Sequence, residues 1–262
     1  MRNIWTIAKR EYDHYFISPI AYVVAFLILL TTGGIFVYSL SYYTQSAYQA
    51  YGGAPDITPV TGSFGFLLVL TVPAITMRLI ADEARMGTLE LLLTAPVRDF
   101  ELVAGKWLGA LLFILSILAV TLIYPIILNG IVIGSLTILP PLVVPGIDRQ
   151  LMLTNYAGVI LAAGAFLAIG VGISAIFTNQ IAAFFATLVT FVILWWLFGF
   201  PAAIMQPGTT GQQLFMFLDM KTHFYNAFGT GSIAISDALY FLSLIALGLF
   251  IGTTAVEVRR WR

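Results

Sequence analysis

The chain carries few groups able to make or break bonds, and their spacing excludes most of the reactions such groups perform. There are two histidines, His14 and His223, and no cysteine. Without thiols there is no disulfide, no thiolate metal site and no cysteine nucleophile. No H-E-x-x-H helix is present to hold zinc, and no histidine falls within a long apolar run where it could serve a serine as a buried base. Met216, Met220 and His223 recur at intervals of four and three residues, a helical face that could offer soft ligands to copper(I). The alternative for that face is a re-entrant amphipathic helix packing on its neighbours. Asp56, Asp148, Asp219 and Asp237 are scattered, with no spacing that clusters carboxylates. Gly105-Lys106 is a fragment of a phosphate cradle, but the G-x-x-x-x-G-K-[ST] pattern lacks its first glycine at the required spacing. The expectation is a chain with no catalytic residue, no metal site and no cofactor of its own.

The elements that must position these residues are set by solvent. Apolar residues make up 60% of the 262 and charged residues 9%, with a mean hydropathy of +0.97; ordinary soluble domains have about 25% charged residues. Six apolar runs are long enough to cross a bilayer, which takes about 20 helical residues. They are Ser18 to Leu40, Gly62 to Ala81, Leu108 to Leu128, Asn155 to Phe177, Ile181 to Met205 and Ala238 to Val256. None alternates with the period of two that barrel strands require, so the spanning element is the helix. The predicted fold is an all-α integral membrane domain of six transmembrane helices, a single unit over residues 1–262. Acidic Glu11 and Asp13 precede a first run too long for a signal peptide, with no small-residue cleavage site after it, so that run is expected to be retained.

Six crossings put both termini on one side. Arg2, Lys9, Arg10, Arg78, Arg85, Arg98, Lys106, Arg259, Arg260 and Arg262 flank that side, and only Arg149 and Lys221 flank the other. By the positive-inside rule the termini and the loop between spans two and three are predicted to be cytoplasmic, His14 with them and His223 opposite. The chain is thus expected in the plasma (inner) membrane as a multi-pass protein.

Local signals refine the spans. Ser18-Pro19 reads as an N-cap followed by a first-turn proline, starting span one. Upstream, Ile4, Ile7, Ala8, Tyr12 and Tyr15 share a helical face, with Lys9, Arg10, Asp13 and His14 between them. That is an amphipathic helix over 1–17 lying in the interface, or else a frayed terminus. Pro73 removes a hydrogen bond from span two and should kink it. Arg78, near the end of the same span, either snorkels to headgroups or lines a pathway. Thr178, Asn179 and Gln180 alone separate spans four and five, which makes those spans antiparallel neighbours. Trp195 and Trp196 are expected at the outer interface. The opposite-side loops are longer: Ser41 to Thr61, Ile131 to Thr154 with Pro140, Pro141 and Pro145, and Gln206 to Asp237 with a Gly-rich start. No internal repeat is visible, which removes the best sequence pointer to an inverted-repeat carrier, and no run holds an ionisable residue at mid-membrane for ion coupling.

A third of the formal charges sit in one 25-residue stretch, 82–106: Asp82, Glu83, Arg85, Glu90, Arg98, Asp99, Glu101 and Lys106. Met86, Leu89, Leu92 and Leu93 repeat there at three to four, the pattern of a short amphipathic helix stopped at Ala95-Pro96. It is either a lever gripped by another subunit or a solvated loop that fixes topology. Its residues Glu83, Arg85, Gly87, Thr88, Leu89, Glu90, Leu91, Leu92, Pro96, Glu101, Gly105 and Lys106 resemble the E-x-R-x-G-T-L-E-x-L-L segment, with its following Pro, Glu and Gly-Lys, of the ABC-2 type permeases of ATP-binding-cassette transporters. The closing stretch from Asp237 to Trp261 is similar to that of the gliding-motility and nitrous-oxide-reductase-maturation permeases, and the likeness covers essentially the whole chain.

The resemblance implies a permease subunit, an exporter, in which a coupling helix at about Glu83 to Thr94 seats in a cleft of a nucleotide-binding subunit. Glu83, Arg85, Gly87, Thr88, Leu89, Glu90, Leu92 and Pro96 are the coupling residues it implies. ATP and Mg²⁺ would bind the partner ATPase dimer, and a second permease copy or a related permease would complete the complex in contact with membrane lipid. No nucleic acid is implied. The small residues Gly158, Ala162 and Ala165, Gly164, Ala168 and Gly172, and Gly248 and Gly252 form stripes that either pack inside the bundle or meet that second permease. The competing reading is a membrane anchor or scaffold that holds a cytoplasmic partner without moving cargo.

Overall fold

Lipid offers no partner for a backbone amide, so each apolar run closes its hydrogen bonds on itself as a helix. The structure, a computed structural model, describes residues 2–43, 56–89, 97–132, 148–232 and 234–260. Within them all regular structure is helical, and six helices are long and apolar enough to span a bilayer. Pro140, Pro141, Pro145 and the coupling residues Glu90, Leu92 and Pro96 lie outside the described residues.

Helix α1 (Arg2–Tyr15) precedes span one, α2 (Pro19–Tyr43). Span two comprises α3 (Thr58–Thr76) and, after a turn at 77–80, the short α4 (Ala81–Met86). Span three is α5 (Asp99–Thr121) continued by α6 (Ile123–Val132), and span four is α7 (Arg149–Ile176). Span five joins α8 (Gln180–Val192) through a π-turn, Ile193–Leu197, to α9 (Gly199–Ile204). After α10 (Thr210–Leu218) and irregular turns at 220–230, span six is α11 (Ile235–Arg260). Spans two, three, four and six run beyond their apolar runs, span three by nine residues at its start, because charged residues there extend the helix past the hydrocarbon. Asp99 and Glu101 begin span three, and Arg259 and Arg260 end span six.

Spans two and four form the centre: 72% of their most apolar windows is buried, against 22 to 39% in the other four. Span six lies on span four through small residues. A methyl at Gly248 would lie 2.4 Å from the Ala168 carbonyl carbon, and one at Gly172 would lie 2.7 Å from the Gly248 oxygen. Gly158 and Gly164 likewise receive Phe228 and Ile245. The small stripes therefore pack inside the bundle. Polar side chains add a few cross-links within it. The buried Asn155 accepts a bond from Thr61 at 3.1 Å and donates to Thr58 at 3.3 Å, joining spans four and two. Trp107 Nε1 donates to the Gly164 carbonyl at 2.9 Å, joining three to four.

The disturbance in span two falls one turn after its proline. The helix continues through Pro73 to Thr76 and opens over 77–80, where Met77 bonds the Pro73 carbonyl and Leu79 the Thr76 carbonyl. Two amides at the restart, Ile80 and Ala81, donate to the fully buried Ser174 hydroxyl of span four at 3.3 and 3.1 Å.

At the end of the bundle opposite the chain termini, the stretch 220–230 turns back into the protein. Phe224 fills the space beside Gly65, Phe228 that beside Gly158, and Tyr225 donates to the Gly62 carbonyl at 3.0 Å. Trp195, expected at the interface, is instead 1% exposed, packed on Phe166 and Phe224, because the returning segment covers it. Trp196 stays partly exposed beside Phe66.

Candidate functional site

The face that gathers both chain ends carries the densest charge, and there α1 is docked rather than frayed. Gly105 and Gly109 of span three leave no room for side chains. A methyl at Gly105 would lie 2.7 Å from Ile7 Cβ, and one at Gly109 would lie 2.8 Å from the Ala8 carbonyl oxygen. Ala8 is fully buried, and Tyr15 stacks on Phe113 of span three with ring centroids 4.7 Å apart. The Ile4, Ile7, Ala8, Tyr12 and Tyr15 face read from the sequence is thus the contact face, turned to span three.

That docking brings together residues from three distant parts of the chain. Lys106, 1% exposed, donates from Nζ to Glu11 of α1 at 3.0 Å and to Glu83 of α4 at 2.7 Å. Arg10 closes the group from outside, 3.2 Å from Glu11 and 3.7 Å from Glu83. Burial alone would raise the Glu11 carboxyl, but the charge and hydrogen bond of Lys106, with help from Arg10, outweigh it and hold its pKa below the ordinary value. The same burial, reinforced by the charge of Glu11, pushes the Tyr15 hydroxyl well above its usual range. A second set of contacts ties the remaining ends. Arg260 pairs with Asp99 at 2.7 Å and bonds the Val97 carbonyl, Arg259 bonds the Ile176 carbonyl, and Asn3 donates to Glu101 at 3.1 Å.

The expected coupling residues divide. Glu83 faces inward onto Lys106, and Leu89 is buried. Arg85, Gly87 and Thr88 are exposed, with Met86 beside them. A single helix from Glu83 to Thr94 does not form: α4 ends at Met86, Gly87 takes a left-handed conformation with φ of +72°, and helix resumes at Thr88 and Leu89. Glycine supplies that conformation without steric cost, so the apolar period running through it does not make one helix. What results is an exposed, sharply turned tip, Arg85 to Thr88, on an inward-anchored root. Glu90, Leu92 and Pro96, beyond this tip, lie outside the described residues.

A family profile described as ABC-2 family transporter protein matches residues 5–256. The chain belongs to the ABC-2 transporter family. It is a multi-pass membrane subunit of transport type, a permease of an ABC transporter rather than an enzyme, and such permeases work with an ABC ATPase. No curated protein matches the chain in sequence. Placed on this ABC-2 permease, the site consists of more than the loop motif. The apolar face of α1 was legible, but Glu11 as a partner of Lys106 was not, because nothing local in α1 announces a contact 95 residues away. The one available signal was Gly105 and Gly109 at a spacing of four at the head of span three, where a close helix contact was legible.

The opposite end also holds a polar group that spacing did not suggest. His223 presents Nδ1 to the Asp237 carboxylate and Nε2 to the Phe217 carbonyl at 2.8 Å, and its ring stacks on Tyr240 at 4.1 Å. Both ring nitrogens are thus taken up by protein oxygens. Neither nitrogen is open to a metal. Met220 is fully buried while Met216 is exposed, so the three do not share one face; α10, which carries Met216, buries no residue, and irregular turns at 220–230 stand where a re-entrant amphipathic helix was the alternative.

Proposed function

We propose that this permease is the membrane half of an ATP-driven exporter, paired with a second permease and seated on two separate cytoplasmic ATPase subunits that bind ATP and Mg²⁺. The tip Arg85 to Thr88, continued by Glu90, Leu92 and Pro96, is the part those subunits grip. The observation that carries this reading is the Glu11–Lys106–Glu83 junction. A buried cation fastens the root of the loop to α1 and to span three at once, so a displacement of the tip is delivered to all three together. Nucleotide-driven closure of the ATPases would thereby alternate the bundle between inward-open and outward-open arrangements. The excess of lysine and arginine on the terminal face supports its placement in the cytoplasm, with the protein in the inner membrane. A largely apolar interior suits cargo that is itself lipid-soluble or lipid-linked.

The test is co-purification with the cognate cassette ATPase. Replacing Glu83, Arg85 and Glu90 together by Gln should leave membrane insertion intact and abolish association. Because Glu83 is internal, a tip-only variant, Arg85→Glu with Thr88→Glu, separates gripping from anchoring and should also lose the ATPase. Full assembly of both variants would overturn the reading.

A further inference from the structure

We propose that the cleft between the α1–α2 elbow and the break in span two binds the headgroup of an anionic phospholipid, whose acyl chains lie along the outside of spans one and two. The cleft measures about 550 Å³. Its polar end contains Arg78, whose exposed guanidinium makes one long bond, 3.4 Å, to the Ser18 hydroxyl. Among the described residues no carboxylate lies within 4 Å of it. The other charges at the cleft are matched: Lys106 and Arg10 hold Glu11 and Glu83, and Arg85, outside the cleft, reaches Asp82 at 3.4 Å. One positive charge is left over, and it faces the cavity.

Two further features favour an anion with a hydrophobic tail. The N-terminal end of the 25-residue α2 opens on the same cleft at Ser18-Pro19, adding the positive end of a long helix. The wall beyond Arg78 is apolar, built from Ile20, Ala74, Ile75 and Leu79, with Ile17 76% exposed at its mouth. A free phosphate would leave that wall wet, whereas a lipid covers it. A phosphodiester accepts two parallel bonds from a guanidinium. A choline or ethanolamine headgroup brings its own cation against Arg10 and Arg78 and should bind less well. Asp82, Glu83, Met86 and Thr88 border the cleft, so the bound headgroup would touch the coupling segment. That last consequence rests on the proposed function, while the binding does not.

The experiment uses the full-length chain in detergent, with lipid retention followed by native mass spectrometry and melting temperature recorded alongside. The ligands are dioleoyl phosphatidylglycerol, dioleoyl phosphatidylcholine and inorganic phosphate. Phosphatidylglycerol should be retained roughly tenfold better than phosphatidylcholine and should raise the melting temperature, a difference typical of a charged hydrogen-bond pair. Arg78→Gln should erase the preference, Arg78→Lys should keep part of it, and Lys221→Gln, at an exposed cation far from the cleft, should keep all of it. Equal retention of the two lipids, an undiminished preference in Arg78→Gln, or an equal loss in Lys221→Gln would each overturn the proposal. So would millimolar inorganic phosphate competing off the lipid, since the site would then belong to a soluble anion. None of these measurements involves an ATPase, so their failure leaves the coupling reading standing.

Discussion

Lys106 is the residue on which the terminal face depends. Its ammonium is removed from water and satisfied by carboxylates from two other elements, Glu11 and Glu83. Removing one member of such a buried group strands the others, at a cost on the order of 3 kcal/mol, whereas replacing the whole group by neutral side chains can be nearly neutral. Lys106→Met is therefore expected to expose the amides of 2–15 to hydrogen exchange and lower the melting temperature. Adding Glu11→Gln and Glu83→Gln should recover most of the loss. Acid provides the same perturbation without mutation. The Glu11 pKa lies below its ordinary 4.5 in the folded protein, so its contribution is present at neutral pH and above. It declines as the pH falls below 4.5 toward that lower folded value, and exchange protection of α1 should fall in that window. None of this was readable from Lys106 itself, which sits in the sequence as the tail of a charged loop. Its burial comes from α1 lying across Gly105 and Gly109, a pair whose spacing announces a close helix contact but does not say which helix makes it.

At the scale of elements, what the sequence shows depends on whether the cause is local. Run length decides a span because lipid imposes one requirement on every stretch of backbone, and all six expected spans are present, though span three begins at Asp99 rather than Leu108 and span four at Arg149 rather than Asn155. The amphipathic face of α1 was legible for the same reason, but its partner was not, since an apolar face does not say whether lipid or protein covers it. Pro73 announced a disturbance in span two, which opens at 77–80, where the chain approaches Ser174. Gly87 hid a second break inside an apolar repeat that continues past it. The small residues of spans four and six were readable as a contact, and their side is now settled by atoms: Gly248 meets the backbone at Ala168. Backbone cannot yield as a flexible side chain can. Gly248→Leu should force the two helices apart, costing about 2 kcal/mol or more, seen as a lower melting temperature. Gly34→Leu, where nothing lies within 4 Å, should melt as the parent does.

For the molecule as a whole, the two ends of the bundle are built differently. The terminal end is held by charges drawn from α1, the loop root, the head of span three and the tail of span six, the last of which also bonds a carbonyl at the end of span four. The opposite end is stoppered by aromatic side chains from 220–230 seated over Gly62, Gly65 and Gly158. The charge asymmetry favours one of the two possible orientations, and the absence of cysteine makes the choice directly measurable. Single cysteines at Thr88 and Lys221, both exposed, should label with an impermeant maleimide from opposite faces of sealed vesicles, Thr88 from the cytoplasmic one. Reversed accessibility would remove the basis for an ATPase at the tip. The joint at Ser174 sets what kind of movement the bundle can transmit. Two amides from the restart of span two converge on a single oxygen, so the segment beyond can swivel about that atom while both bonds persist. Translation away from it would strand two donors in a dry interior. The joint therefore resists a pull and yields to a twist.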